Sequence, residues 1–200
     1  MRRHALLLAL TLSLPFPTSL VAQSQASSDP RDGVMLAFET FASIFGSRLV
    51  AAFDSIPAAR YDYRPTPVQQ SIGYIAQHLA SDNYLFCNNF GPMKAMLSAK
   101  DTTTADSIKA QWPKDTLVAK LKASLGFCEA AFAQLNDSKL GDPIEMTFNG
   151  MKRNSTRVTM VLGHALDMAD HYSQLSNYMR LNNILPPTAL PRPGRGGGGD

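Results

Sequence analysis

Apolar residues recur every three to four positions in four separate stretches of this chain, while the apolar–polar alternation of a half-buried strand is nearly absent. The first stretch, from about Asp32 to Ile56, places Met35, Phe38, Phe41, Ile44, Phe45, Leu49 and Phe53 at helical spacing, and Pro57 ends it. The second, Val68 to about Phe90, carries Ile72, Ile75, Leu79 and Phe86, with Thr66 as N-cap and Pro67 at the first helical position. The third, Lys114 to Leu135, turns Leu117, Leu121, Leu125, Cys128, Ala131 and Leu135 inward. The fourth, Ser155 to about Asn183, has a broad stripe from Val158 to Met179 and stops before Pro186-Pro187. Between the second and third, Gly91 to Pro113 has weak period and reads as a long crossover loop with room for a short helical turn. Asn136 to Asn154 is rich in turn residues, and TFNGMKR within it suits a brief hairpin or a loop. The pattern predicts an all-α protein, a four-helix bundle whose long crossover joins helices two and three.

The last helix concentrates the chemistry. His164 and His171 are seven residues apart, two helical turns, so both imidazoles fall on one face. Asp167 lies between them on that face. His78, in SIGYIAQHLASDNYLF of the second helix, is the natural partner from across the bundle, and Asp82, four residues on, is placed to orient its ring. Imidazole nitrogen with carboxylate oxygen suits a divalent transition metal: zinc, nickel, iron or manganese. The plainer alternative for such residues is ordinary interior hydrogen bonding, and for His78 and Asp82 a surface pair.

The N-terminus reads as an export signal over residues 1–23: Arg2 and Arg3, an apolar run from Ala5 to Leu14, and small residues up to Val21-Ala22-Gln23. The run falls short of the roughly 20 residues of a bilayer span. No second apolar stretch of that length stands out, so a soluble periplasmic or secreted protein without a stable membrane span is expected; an uncleaved anchor is the alternative. Cleavage removes two arginines and no acids, lowering the formal charge from +3 to +1. A near-neutral chain without basic clusters has no electrostatic footprint for nucleic acid.

Residues 24–190 suit one domain with a real core. The Pro/Gly-rich end, PPTALPRPGRGGGGD, is expected to be disordered, above all over 191–200. Cys87 and Cys128 are expected to form a disulfide in an oxidising compartment, the alternative being two buried thiols. Acceptor-like triplets at Asn136 and Asn154 are read as chance.

Three segments together, YRPTPVQQSIGYIAQHLASDNYLFC, LKASLGFCEAAFAQL and HALDMADHYSQLSNYMRLNNILPP, resemble the DinB-like (DinB/YfiT) superfamily across roughly Asp32 to Pro187. The resemblance implies a four-helix bundle that binds a divalent metal, often nickel or zinc, through one His of the second helix and two of the fourth. By position His78 and His171 match two of those ligands. The third falls on Asp167, where many members have His, which leaves carboxylate ligation or substitution by His164. The glycine expected after the last His is also missing, with Ser173 standing before Gln174.

Two functional expectations follow. One is an exported metal-dependent hydrolase or transferase acting on a small molecule. The other is a non-enzymatic helical binding module without metal. A homodimer is an option that no particular surface stripe argues for.

Overall fold

A computed structural model describes residues 33–148 and 150–191; the expected signal segment and residues 192–200 of the expected tail lie outside them. The described chain is mostly helical. Its elements are α1 (Val34–Ser55), α2 (Ile72–Cys87), α3 (Ala99–Thr103), α4 (Asp106–Lys109), α5 (Lys114–Phe132), the strands β1 (Pro143–Phe148) and β2 (Met151–Thr156), and α6 (Arg157–Leu181). The long helix α2 packs against α5 and α6, and α1 packs against the same two. Their shared core holds Leu49, Phe53, Ile75, Leu79, Leu121 and Leu175, all fully buried.

Local chemistry sets where each long helix begins and ends. Gly33 adopts a positive φ of 85° ahead of α1. The Asp137 carboxylate, more than a hundred residues away, then accepts from Val34 N (3.1 Å) and Met35 N (2.8 Å). Two of the unpaired amides of the first turn are thus satisfied by a side chain from another part of the fold. Helix α2 starts at Ile72, four residues later than its sequence suggests. Ser71 caps it by accepting from Tyr74 N (3.2 Å), whereas Val68 is 94% exposed and has nothing to bury in an earlier turn. At the end of α6, Asn183 takes φ 57°. Ile184 N then reaches Met179 O (2.9 Å) and Asn183 N reaches Arg180 O (3.0 Å), a Schellman close that stops the helix ahead of Pro186.

Four expectations need correction. The connection after α5 takes the hairpin option of its two readings, with Pro143 paired to Thr156 and Phe148 to Met151, so the all-α expectation is amended by a small two-stranded sheet. The segment from Gly91 to Pro113 carries two short helices, α3 and α4. The first part of the proline-rich end is ordered: a short 3-10 turn, Pro187–Ala189, docks through Thr188, whose Oγ1 accepts from Tyr172 Oη (3.0 Å). Finally, α1 is by length and composition apolar enough to cross a membrane, with a mean hydropathy of 1.4 over its most apolar window. Only Glu39, Arg48 and Asp54 are charged along it, and they interrupt the run without lowering its average much. The expected disulfide is present: Cys87 at the end of α2 is bonded to Cys128 of α5, with Cα atoms 5.2 Å apart.

Candidate metal centre

Helices α2 and α6 run antiparallel along their contact, so His78 meets His171 while Asn83, further along α2, meets His164, earlier on α6. Arg157 fixes this alignment at one end. Its guanidinium donates to Phe90 O just past α2 and pairs with Asp142 at 3.2 Å. Two clusters result, separated along α6 by two turns, roughly 10 Å.

The first cluster contains His78, Asp167 and His171, each offering one ligand atom within 4.8 Å of the others. The two imidazoles meet edge to face with centroids 4.9 Å apart. Asp167 Oδ1 stands 3.5 Å from His171 Nε2. Two atoms bound to one ion at about 2.1 Å lie roughly 3.0–3.4 Å apart, so this pair already has close to the separation of neighbouring ligands.

A hydrogen-bond chain sets the tautomer of His171. Gln174 Nε2 donates to Tyr178 Oη (3.1 Å), which leaves Gln174 Oε1 as the acceptor facing His171 Nδ1 (3.0 Å). A carbonyl oxygen can only accept, so Nδ1 is the donor, and in the neutral ring the Nε2 lone pair faces Asp167. This is how a metal-ligating histidine is usually held. The arrangement of donors fits a divalent cation.

Asp82 also contacts the cluster, its Oδ2 lying 3.4 Å from His78 Nε2. Desolvation raises the carboxyl pKa of both Asp82 and Asp167. The attraction of His78 and His171 opposes that rise without cancelling it, and the two carboxylates repel each other at Asp82. Half-buried acids held up in this way gain from a positive partner between them. Tyr74, one turn before His78, stacks against its ring at 6.1 Å. Tyr74 also lines a cavity of about 940 Å³ with Tyr61, Arg64, Trp112 and Lys114. Sequence reasoning passed over Tyr74, Gln174 and Tyr178. The i, i+3 spacing of His171 and Gln174 was the available signal.

His164 does not join this group, which corrects its candidacy as a ligand beside His171. A shared helical face does not make two residues neighbours when two turns separate them. His164 is 1% exposed, boxed by the rings of Phe86, Phe90 and Phe132. Its Nε2 faces Asn83 Oδ1 (3.0 Å). Asn83 Nδ2 donates to Ser124 Oγ (2.9 Å), which donates to Leu121 O (2.9 Å). The chain makes His164 Nε2 the donor and leaves Nδ1 buried without a partner. Burial lowers its pKa to about 4. Cys87 and Cys128 lie close to it, but their sulfurs are joined to each other and offer no thiolate.

The DinB superfamily model matches residues 45–175, which takes in α2, α5 and both histidine clusters. The chain belongs to the DinB superfamily. Among solved structures, a mycothiol-dependent maleylpyruvate isomerase is similar in fold to this DinB protein, with TM-score 0.57 and 13% identity over 72% of this chain and 61% of that one. The chain therefore spans about three-fifths of the isomerase's length. A conserved protein from Enterococcus faecalis matches with TM-score 0.55 and 16% identity, over 74% of this chain and 96% of that one. No curated protein matches the chain.

Proposed function

We propose that this DinB protein is an exported metal-dependent enzyme, a hydrolase or transferase of a small molecule, holding one divalent ion through His78, Asp167 and His171. The four long helices are read as a four-helix bundle with α3 and α4 in its crossover, and α1 as a core helix, since Leu49, Ala52 and Phe53 on it are buried. The observation that carries the proposal is the convergence of three donors in which the Gln174–Tyr178 chain fixes His171 Nδ1 as the donor and leaves Nε2 turned toward Asp167. Metal binding is typical of the superfamily, which adds support.

A divalent ion supplies Lewis acidity, polarising an oxygen or lowering the pKa of bound water. The chain's own residues have separate tasks. Gln174 holds the His171 ring. Asp82 sits against His78 and, with its raised pKa, takes up a proton more readily than an exposed carboxylate. The cavity beside Tyr74 is the proposed entrance for substrate. Low-molecular-weight thiols are chiefly cytosolic, so for an exported protein hydrolysis ranks ahead of thiol transfer. Metal content of the purified protein, with melting in the presence and absence of chelator, tests the proposal. It predicts near-stoichiometric metal and a lower melting temperature after chelation, with both effects lost in His171→Ala. A folded, metal-free protein that rejects added nickel, zinc and manganese would leave a helical binding module instead.

A further inference from the structure

We propose that the groove between α1 and α5 binds a small uncharged amphiphile, a narrow apolar body ending in one hydroxyl, and that this hydroxyl donates to His164 Nδ1 at the floor of the groove. The inference stands apart from the metal reading above, since none of His78, Asp167 and His171 lines this surface.

Its basis is one atom. Among the described residues, the buried side-chain atoms left without a hydrogen bond are His164 Nδ1 and Ser176 Oγ. A serine hydroxyl rotates and can turn to a helix carbonyl, whereas an imidazole nitrogen keeps the direction of its ring. Nε2 is engaged with Asn83 on α2, and the two ring nitrogens point in diverging directions, so the Nδ1 lone pair is directed elsewhere. Burial lowers the ring's pKa to about 4, which keeps it neutral at physiological pH. A neutral nitrogen with a free lone pair accepts from a hydroxyl and offers nothing to an anion. A buried acceptor without a donor is destabilising, and a ligand hydroxyl offsets that cost.

The groove supplies the route to that ring. It encloses about 950 Å³, and His164, Cys128 and Phe132, all nearly fully buried, form its floor, with Leu36, Ile44 and Val50 on the α1 side. Of the seams between the long helices, α1–α5 is the most loosely packed. Asp54 and Lys122 pair across one end at 3.0 Å, which leaves charge at the rim and apolar surface within. Gly126 of α5 stands at the mouth, where a Cβ would meet nothing within 4 Å. Glycine weakens a helix interior relative to alanine, and no neighbouring atom requires it here; its effect is to keep the mouth open. Across the groove, a Cβ on Gly46 would stand 3.1 Å from Leu125 Cδ2, so the walls below are close. A slender body with one polar end suits these walls. A second protein surface suits them less well, because only a thin projecting group reaches an acceptor on a ring 1% exposed.

The test is a titration of the full chain, histidine-labelled for nitrogen NMR and with chelator present, using para-propylphenol and para-propyltoluene, in which a methyl replaces the hydroxyl. The phenol is expected to bind tighter than the hydrocarbon by about tenfold or more, because the hydrocarbon leaves Nδ1 unpaired. Only the phenol is expected to move the Nδ1 resonance of His164. Gly126→Phe, which sets a ring in the mouth, is expected to weaken phenol binding by about tenfold or more at an unchanged melting temperature. His164→Phe is expected to bind the two probes alike; where it does not fold, the wild-type affinity ratio and the Nδ1 resonance carry the test. Equal affinity of the two probes for wild type, binding of neither, or wild-type phenol affinity in Gly126→Phe would overturn the proposal. A wild-type dimer that Gly126→Phe converts to monomer, with neither probe bound, would assign the groove to a second copy of the chain and overturn it as well.

Discussion

Acidification drives a proton onto His164 in the unfolded chain well before the folded protein accepts one. The ring is 1% exposed, and desolvation lowers its pKa from 6.5 to about 4. Since the folded pKa lies below the unfolded one, the unfolded chain binds more protons between these values. Stability is therefore full above about pH 6.5 and is lost as pH falls toward 4. A gap of that size amounts to about 3 kcal/mol at 1.36 kcal/mol per unit, a large share of the 5–15 kcal/mol typical of a whole domain. Asp82 and Asp167 work in the opposite direction. Their raised pKa values mean that the folded state holds protons more tightly, so they favour folding as pH drops toward the ordinary carboxylate range. A difference between variants separates the two effects. Urea unfolding followed by circular dichroism, with chelator present, would be run from pH 7 to 4 on wild type and His164→Gln. Wild type should lose about 3 kcal/mol more than the variant across that range. Parallel curves would refute the argument, and would mean that water reaches Nδ1 and the ring titrates normally.

Other consequences can be measured on the same protein. Reducing the Cys87–Cys128 bond, which closes a separation of 41 residues, should lower stability by about 4 kcal/mol on chain entropy, seen as a shifted urea midpoint. Gly73→Ala would place a methyl 2.2 Å from Ala110 O; backbone must move, and a loss of about 1–3 kcal/mol or more is expected in thermal melts. Gln174→Leu should leave helicity intact while weakening metal affinity by about 10–100-fold in a titration, because the His171 tautomer is no longer held.

Much of this was legible in the chain. The three-to-four spacing located all four long helices, because burying a stripe is what each of them does. His78, Asp167 and His171 could be singled out because Asp167 and His171 share one face of α6 and the family resemblance matches His78 to the facing helix, and the three donors do converge. His164 misled: same-face logic ignores distance along the axis, and nothing in its spacing revealed the aromatic box of Phe86, Phe90 and Phe132. The hairpin is half legible: Ile144–Phe148 alternates apolar and polar residues and the Asn-Gly dipeptide at 149–150 is a strong two-residue turn signal, but Met151–Thr156 is polar after its first residue and shows no alternation. The capping of α1 by Asp137 could not be read locally, since it depends on a residue more than a hundred positions away.

Anomalous diffraction from crystals of the protein grown with zinc or manganese would probe the centre most directly. The account predicts one peak about 2.0–2.2 Å from a nitrogen each of His78 and His171 and an oxygen of Asp167. Density confined to surface carboxylates, with those three side chains undisturbed and no ion between them, would contradict it.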